Sequence, residues 1–373
     1  MQFRKTSLFH ILGMATTFAM LMLMANASVA QTSSAGFVYV ATNQPTGNAV
    51  VQFARHSNGS LTKIREVATG GLGGTGNGVG PLDPLGSQDS LVLSGTGSLL
   101  LVVNAGSNQV SSLAAGAAGL HLLSTVTSGG SFPNSVALHG NLVYVLNAHG
   151  TPNISGFRVS STGTLHPIAG STRNLPGGTA AGAHDIRFTP DGTRLLVSEG
   201  GTNRIDIFQL GSSGLVTEVN TQSSAGSGPF GIRFGRDGVL VNAEANSNSV
   251  SSYALSDDTL TVISPAVANG QAATCWISVT ADGKFGFTSN TGAGDLSSYQ
   301  ISGNGTVNLV QAVAATAGGG RPIDSAFSSD NAFLYAVDTA LGRVLIYAVH
   351  GASLALIGDA AGLPTTVQGV AAD

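Results

Sequence analysis

His184 and Glu244 are the side chains of this sequence best suited to passing a proton to and from a small substrate. An imidazole and a carboxylate can divide general-base and general-acid work when both reach one ligand atom. Glu199, Arg187, Arg233, Arg321, Asp324, Asp338 and Asn290 could supply hydrogen bonds or charge to such a ligand, and Trp276 could stack on it. The same residue types also do plainer work. Asn, Asp and Glu at strand ends cap turn backbone, and Arg187, Arg233, Glu199 and Glu244 hold equivalent places in neighbouring units, where they could form ion pairs between them. The single cysteine, Cys275, excludes a disulfide within the chain and a thiolate zinc site. Without a histidine or basic residue aligned beside it, Cys275 reads as a buried apolar residue. There is no Gly-x-Ser-x-Gly elbow, no His-Glu-x-x-His and no phosphate loop, and the glycines of Gly70–Gly80 open no helix. No cofactor is expected. Glu199, Glu244, Asp338 and the Asn side chains offer oxygen ligands that would suit calcium, without a local Asp-x-Asp-x-Asp spacing.

These residues recur at the same point of a repeated pattern. A run of alternating apolar residues ends in Asn, Asp or Glu seven times, at Asn43, Asn104, Asn147, Glu199, Glu244, Asn290 and Asp338. Nine or ten residues after each comes Phe53, Leu113, Phe157, Phe208, Tyr253, Tyr299 or Tyr347. The units average about 49 residues and hold three or four short period-2 runs, with no sustained helical periodicity. This predicts an all-β, seven-bladed β-propeller with four-stranded blades. Asp191-Gly192, Asp237-Gly238 and Asp282-Gly283 then read as two-residue hairpin turns between first and second strands. Six first strands fall at Leu91–Leu93, Val136–Leu138, Ile186–Phe188, Ile232–Phe234, Ile277–Val279 and Ser325–Phe327, one fewer than the second strands. Val367-Gln368-Gly369-Val370 fits the missing one. The C-terminal strand should therefore pair with the N-terminal blade and close the ring.

In that topology the starts of the first strands and the ends of the second strands share one face, at the mouth of the central channel. Asp89/Ser90, Asn134/Ser135, His184/Asp185, Phe230/Gly231, Cys275/Trp276, Ile323/Asp324 and Gln368/Gly369 align there. Concave spots with convergent polar groups are where ligands bind. Residues 31–373 are expected to form one domain, with 70–88 a Gly-rich loop insertion.

The chain has 373 residues, 52 of them glycine, with 9% charged, 42% hydrophobic and a formal net charge of −4. This is a chain that can build a core, and its mild acidity argues against nucleic acid as a partner. Residues 1–30 read as a signal peptide: Arg4 and Lys5, an apolar stretch from Leu8 to Ala25, then Ser28-Val29-Ala30, with cleavage after Ala30. An exported, periplasmic or extracellular monomer is expected, with no membrane contact after cleavage and a small molecule or a protein as its partner.

Ala183-His184-Asp185-Ile186-Arg187-Phe188-Thr189-Pro190-Asp191-Gly192, followed by Ser198-Glu199-Gly200-Gly201-Thr202-Asn203-Arg204, resembles the seven-bladed β-propeller lactonase family, which contains 6-phosphogluconolactonase and carboxymuconate cyclase. The likeness covers nearly all of residues 36–373. It places His184 on the second histidine of the family's Pro-His-x-His, and Glu199 and Arg204 on the Asp and Arg of Asp-x-Gly-x-Asp-Arg. Glu244 falls on the Glu that closes the next strand. Two departures matter. The family's Gly-Pro-Arg-His is here Gly228-Pro229-Phe230-Gly231, and the arginine often found after the Asn290 position is replaced by Thr291-Gly292-Ala293-Gly294. Arginine is not replaceable by Phe as a carboxylate or phosphate ligand. The resemblance thus implies a lactonase-type hydrolase or cyclase, acting on something other than a phosphorylated sugar lactone, with His184 and Glu244 as the acid/base pair. The other reading is a non-catalytic propeller that binds a ligand or protein on the same face.

Overall fold

The computed structural model describes Met1 and residues 34–76, 80 and 82–373. The signal peptide lies outside the described residues, apart from Met1. Seven antiparallel sheets follow one another along the chain. The first blade holds Gly36–Ala41, Ala49–Arg55 and Leu61–Ala68, and the second holds Leu91–Leu93, Leu99–Asn104, Gln109–Ala114 and His121–Thr127. The third runs from Ser131–His139 through Leu142–His149 to Asn153–Val159, whose outer edge is shared by Leu165–Pro167 and Arg173–Asn174. The fourth to seventh blades begin with Ala183–Phe188, Pro229–Phe234, Thr274–Val279 and Pro322–Phe327. All six first strands expected from the sequence lie inside these innermost strands. No strand lies between Ala68 and Leu91 among the described residues.

The C-terminal strand closes the ring. Val370–Ala372 pairs antiparallel with Gly36–Ala41, Val40 opposite Val370 and Val38 opposite Ala372. It starts three residues later than the sequence pattern suggested, because Gly369 turns the chain through a left-handed conformation (φ 86). Backbone pairing nevertheless continues past it, from Ala41 N–H to the Gly369 carbonyl and from Gln368 N–H to the Ala41 carbonyl. This pairing covers the edge of Gly36–Ala41 that would otherwise face the channel.

The Asp-Gly turns divide into two kinds. At Asp237-Gly238 both residues have positive φ (55 and 78) and Val239 N–H donates to the Arg236 carbonyl, the expected primed two-residue turn. At Asp191-Gly192 and Asp282-Gly283 only the glycine is left-handed. These hairpins are four-residue loops: Thr189 N–H bonds the Arg194 carbonyl, and the Asp191 carboxylate accepts from Thr189 Oγ1 and Thr193 N–H. Pro190 favours the type I geometry and Asp191 caps it.

The core lies between blades, where sheets pack face to face. Val38, Val40, Phe53, Tyr335, Val337 and Ile346 form one such seam, and Tyr144, Leu146, Ile186, Leu195 and Phe208 another. Buried hydroxyls stitch neighbours together at outer turns. Tyr144 donates to the Gly214 carbonyl (2.7 Å), Ser112 to Gly163 (2.6 Å), Ser252 to Gly305 (2.7 Å) and Tyr335 to Gly59 (3.0 Å). Each of these glycines has φ between 82 and 85, a conformation that side chains rarely adopt.

Candidate functional site in the central channel

Every innermost strand of the third to seventh blades carries a bulge near its start. The register slips between Pro133 and Ser135, Ala183 and Asp185, Pro229 and Ile232, Thr274 and Trp276, and Pro322 and Ser325. A bulge re-aims side chains that a regular pleat would send into the blade. The residues so displaced are those that the repeat alignment placed at the channel mouth: Asn134, His184, Phe230 with Gly231, Cys275, and Ile323 with Asp324.

The mouth is filled by the chain itself. The end of the Gly-rich insertion, residues 82–88, crosses it with Asp89 following, and is tied to blades on several sides. Ser87 donates to the Asn134 carbonyl (2.6 Å) and its own carbonyl accepts from Trp276 Nε1 (2.8 Å) and Gln368 Nε2 (2.9 Å). Gln88 is wholly buried and pairs like a strand with Ile277, its Oε1 accepting from Ile277 N–H (2.9 Å) and its Nε2 donating to the Ile277 carbonyl (3.1 Å). Gln88 N–H also bonds the His184 carbonyl. Asp83 turns the segment, accepting from Gly86 N–H at 2.7 Å. Its Oδ2 is buried without a partner, and burial raises its pKa to about 7.

This plug accounts for Phe230-Gly231, the first of the departures from the family pattern. A Cβ on Gly231 would lie 2.1 Å from Gln88 Oε1, so Gly231 makes the room that Gln88 occupies. Phe230 stacks on the His184 ring (4.2 Å between centroids) and meets Trp276 edge-on (5.0 Å). Trp276 is fully buried and holds the plug. Cys275 is buried too, and its thiol pKa is pushed up by burial and by Asp83.

His184 keeps one face at the mouth. Its Nδ1 lies 2.6 Å from the Gly86 carbonyl, and Nε2 has no hydrogen-bond partner among the described residues. Burial lowers its pKa to about 4, so the ring is neutral at pH 7. The second-strand acids lie elsewhere. Glu244 is fully buried, and its Oε1 accepts from Ser224 Oγ (2.7 Å) and Gly226 N–H (3.3 Å). Burial raises its pKa, and Oε2 has no partner. Glu199 accepts from Gly177 N–H and Thr202 Oγ1, Asp338 from Arg321 N–H and Arg343 Nε, and Asn290 bonds Asn269, Thr274 and Asp295. His184 and Glu244 share no partner. Arg321 reaches across the rim to the Gly292 carbonyl (3.0 Å). Among the described residues no three His, Cys, Asp or Glu side chains converge as metal ligands would.

Beyond the plug the channel is charged. Asp89, left-handed at φ 60, accepts a two-pronged bond from Arg233 (3.0 and 2.7 Å) and another from Arg187. The two guanidiniums hold its carboxyl below the usual range despite burial. Asp185 receives Ile232 N–H (2.8 Å) and lies 3.6 Å from Arg233. Burial, with Asp89 nearby, raises its pKa to about 7 and that of Asp324 well up. The sequence placed Arg187 and Arg233 at equivalent positions but did not reveal that Asp89, just after the insertion, is their common partner.

Seven antiparallel blades in sequence, the first closed by the C-terminal strand, define a seven-bladed β-propeller. The profile of the family described as Lactonase, 7-bladed beta-propeller matches residues 83–367, and the chain belongs to that family. Among solved structures it is similar to a Lactobacillus plantarum protein (21% identity, TM-score 0.73, covering 90% of this chain and 98% of that one). It is also similar to a Bacteroides uniformis protein proposed to be a 6-phosphogluconolactonase (20%, TM-score 0.70, 89% and 99%). A third is the periplasmic gluconolactonase PpgL of Pseudomonas aeruginosa (17%, TM-score 0.69, 89% and 98%). No curated protein matches the chain. No described helix is long and apolar enough to cross a membrane.

Proposed function

We propose that this protein is exported and hydrolyses a small, unphosphorylated lactone at the channel mouth, with His184 as the proton acceptor. The orientation of His184 carries the reading. A carbonyl oxygen can only accept, so the Gly86 contact requires the proton on Nδ1 and leaves the lone pair on Nε2. A neutral imidazole held in one tautomer by a backbone carbonyl is suited to general-base work. In this scheme Nε2 takes a proton from water while the water oxygen bonds the lactone carbonyl carbon. The ring C–O bond then breaks and the leaving oxygen takes the proton from Nε2, so atoms and charges balance. Arg321, at the same end of the ring, is the guanidinium we assign to the developing negative charge. Glu244, shut behind Ser224 and Gly226, would support the loop beside the site rather than touch substrate.

One observation favours the other reading, a propeller that binds without catalysis: Ser87 and Gln88 occupy the depth of the mouth where a substrate would sit. Turnover of a panel of unphosphorylated lactones by the purified protein, beside His184→Gln, separates the two. Hydrolysis lost in the variant supports the first reading, and no turnover by either protein supports the second. Mass measurement of the secreted protein tests cleavage after Ala30.

A further inference from the structure

The plug leaves a second space in the channel, open toward the opposite end of the innermost strands. It has a volume of about 270 Å³ and is lined by Asp89, Arg187, Arg233, Ser278, Ser325 and the last residues of innermost strands, Leu93, Val279, Phe327 and Ala372 among them. That is just below the roughly 300–1,000 Å³ of pockets for drug-sized molecules, so its occupant must be small. We propose that this space is a binding site for a small hydroxylated carboxylate, with Arg187 as the group that receives the carboxylate.

Three observations carry the assignment. First, two guanidiniums face one carboxylate. Arg233 spends both terminal nitrogens on Asp89 and Nη1 also on the Ile232 carbonyl, whereas Arg187 gives Asp89 only Nη2. Second, Arg187 Nη1 has no hydrogen-bond partner among the described residues and the side chain is 30% exposed, so a planar fork made for bidentate carboxylate binding is half used. The two further acids near these arginines, Asp185 and Asp324, do not line the space, and their raised pKa values reduce the negative charge they bring. The lining itself therefore holds two guanidiniums against one carboxylate. Third, the innermost strand of each blade has no further strand on its channel side, so the wall presents backbone N–H and C=O groups of an edge. Hydroxyl groups, which both donate and accept, match such a wall.

The proposal assigns His184 no contact with the ligand, so its test does not share the fate of the lactone reading. Calorimetric titration of the purified protein with tartrate and with threitol, the same four-carbon skeleton without carboxylates, provides the probe. Tartrate should bind at least about tenfold more tightly than threitol, a gap of about 1.4 kcal/mol. Arg187→Gln should weaken tartrate about tenfold or more, and Arg187→Lys should restore part of it. Ala326→Leu narrows the space without changing its charge and should weaken tartrate as well. Thermal melts of each variant separate loss of the site from loss of the fold. Equal affinity for tartrate and threitol, no measurable heat with either, or wild-type binding by folded Arg187→Gln and Ala326→Leu would overturn the proposal.

Discussion

The carbonyl of Gly86 sits 2.6 Å from Nδ1 of His184, so the loop that closes the channel also sets the tautomer of the histidine at its mouth. Burial outweighs that bond and brings the imidazole pKa to about 4. If His184 is the base, its active form is the neutral one, and activity is lost as pH falls through the folded pKa. The acidic limb of kcat/KM should therefore lie near pH 4 rather than at the usual histidine value near 6.5. A pH–rate profile on any accepted lactone checks this, and a limb near 6.5 would remove His184 from the role.

Gly231 and Gln88 form a matched pair. Any side chain at 231 must displace Gln88 Oε1 from 2.1 Å, and with it both bonds to Ile277. Gly231→Ala should lower stability by about 1–3 kcal/mol, the usual range for overpacking a close contact. Gly47→Ala, where a Cβ meets nothing within 4 Å, should cost far less. Urea melts of the two variants side by side give the comparison.

The glycine content, a compositional oddity in the sequence, has a second use beneath the acids of the second strands. A Cβ on Gly320 would lie 1.9 Å from Asp338 Oδ2, on Gly177 2.1 Å from Glu199 Oε2, and on Gly226 2.7 Å from Glu244 Cγ. The backbone of each glycine thus comes close to the carboxylate, and Gly177 and Gly226 donate their N–H groups to it. Gly320→Ala and Gly177→Ala should each cost about 1–3 kcal/mol, by breaking a buried hydrogen-bonded arrangement as well as by crowding. Loss of stability smaller than that of Gly47→Ala would contradict this.

The ring, its closing strand and the identity of the mouth positions were legible because they rest on periodicity, and period-2 burial leaves its mark residue by residue. The channel plug was not. Asp83, Ser87 and Gln88 lie in the one segment that breaks the repeat, so no neighbouring unit offered an alignment for them. Their partners, Asn134, Trp276, Ile277 and Gln368, are scattered over three blades. The burial of the second-strand acids was equally hidden, since a carboxylate that caps a loop and one that faces a ligand occupy the same position in the pattern. The turns at Asp191-Gly192 differ from Asp237-Gly238 through Thr189, whose hydroxyl binds Asp191.

Closure of the ring depends on few residues, and the C-terminus contributes more than its three paired positions. Asp373 N–H bonds the Phe37 carbonyl, and Arg55 Nε reaches the Asp373 carbonyl at 3.2 Å. Ending the chain at Gln368 would remove these contacts with the buried Val370 and Ala371 and would expose the edge of Gly36–Ala41. The loss should exceed about 4 kcal/mol, beyond the common range of single substitutions, and should be accompanied by aggregation. Size-exclusion chromatography and melts of the truncated chain test it, and a monomer as stable as the full chain would show that the ring holds without its closing strand.

Asp206 is buried beside Glu199, with Thr221 Oγ1 donating to its Oδ1 and Oδ2 left without a partner. Burial first, and then Glu199, raise its pKa to about 8. A carboxyl whose folded pKa lies above its unfolded value stabilises the fold when protonated. Between the two values the native state holds a proton that the unfolded state has released, so stability falls as pH rises. Asp83 and Asp185, raised to about 7, act in the same direction. His184 acts oppositely, because its lowered pKa makes stability rise with pH, but only between about 4 and 6.5. Above pH 6.5 the acids are therefore unopposed by it, and the protein should lose stability from there to pH 8. Asp206→Asn keeps a neutral, hydrogen-bonding side chain in place and should flatten part of that decline. Thermal midpoints at half-unit pH steps for both proteins make the comparison, and parallel curves would show that Asp206 does not carry the proton assigned to it.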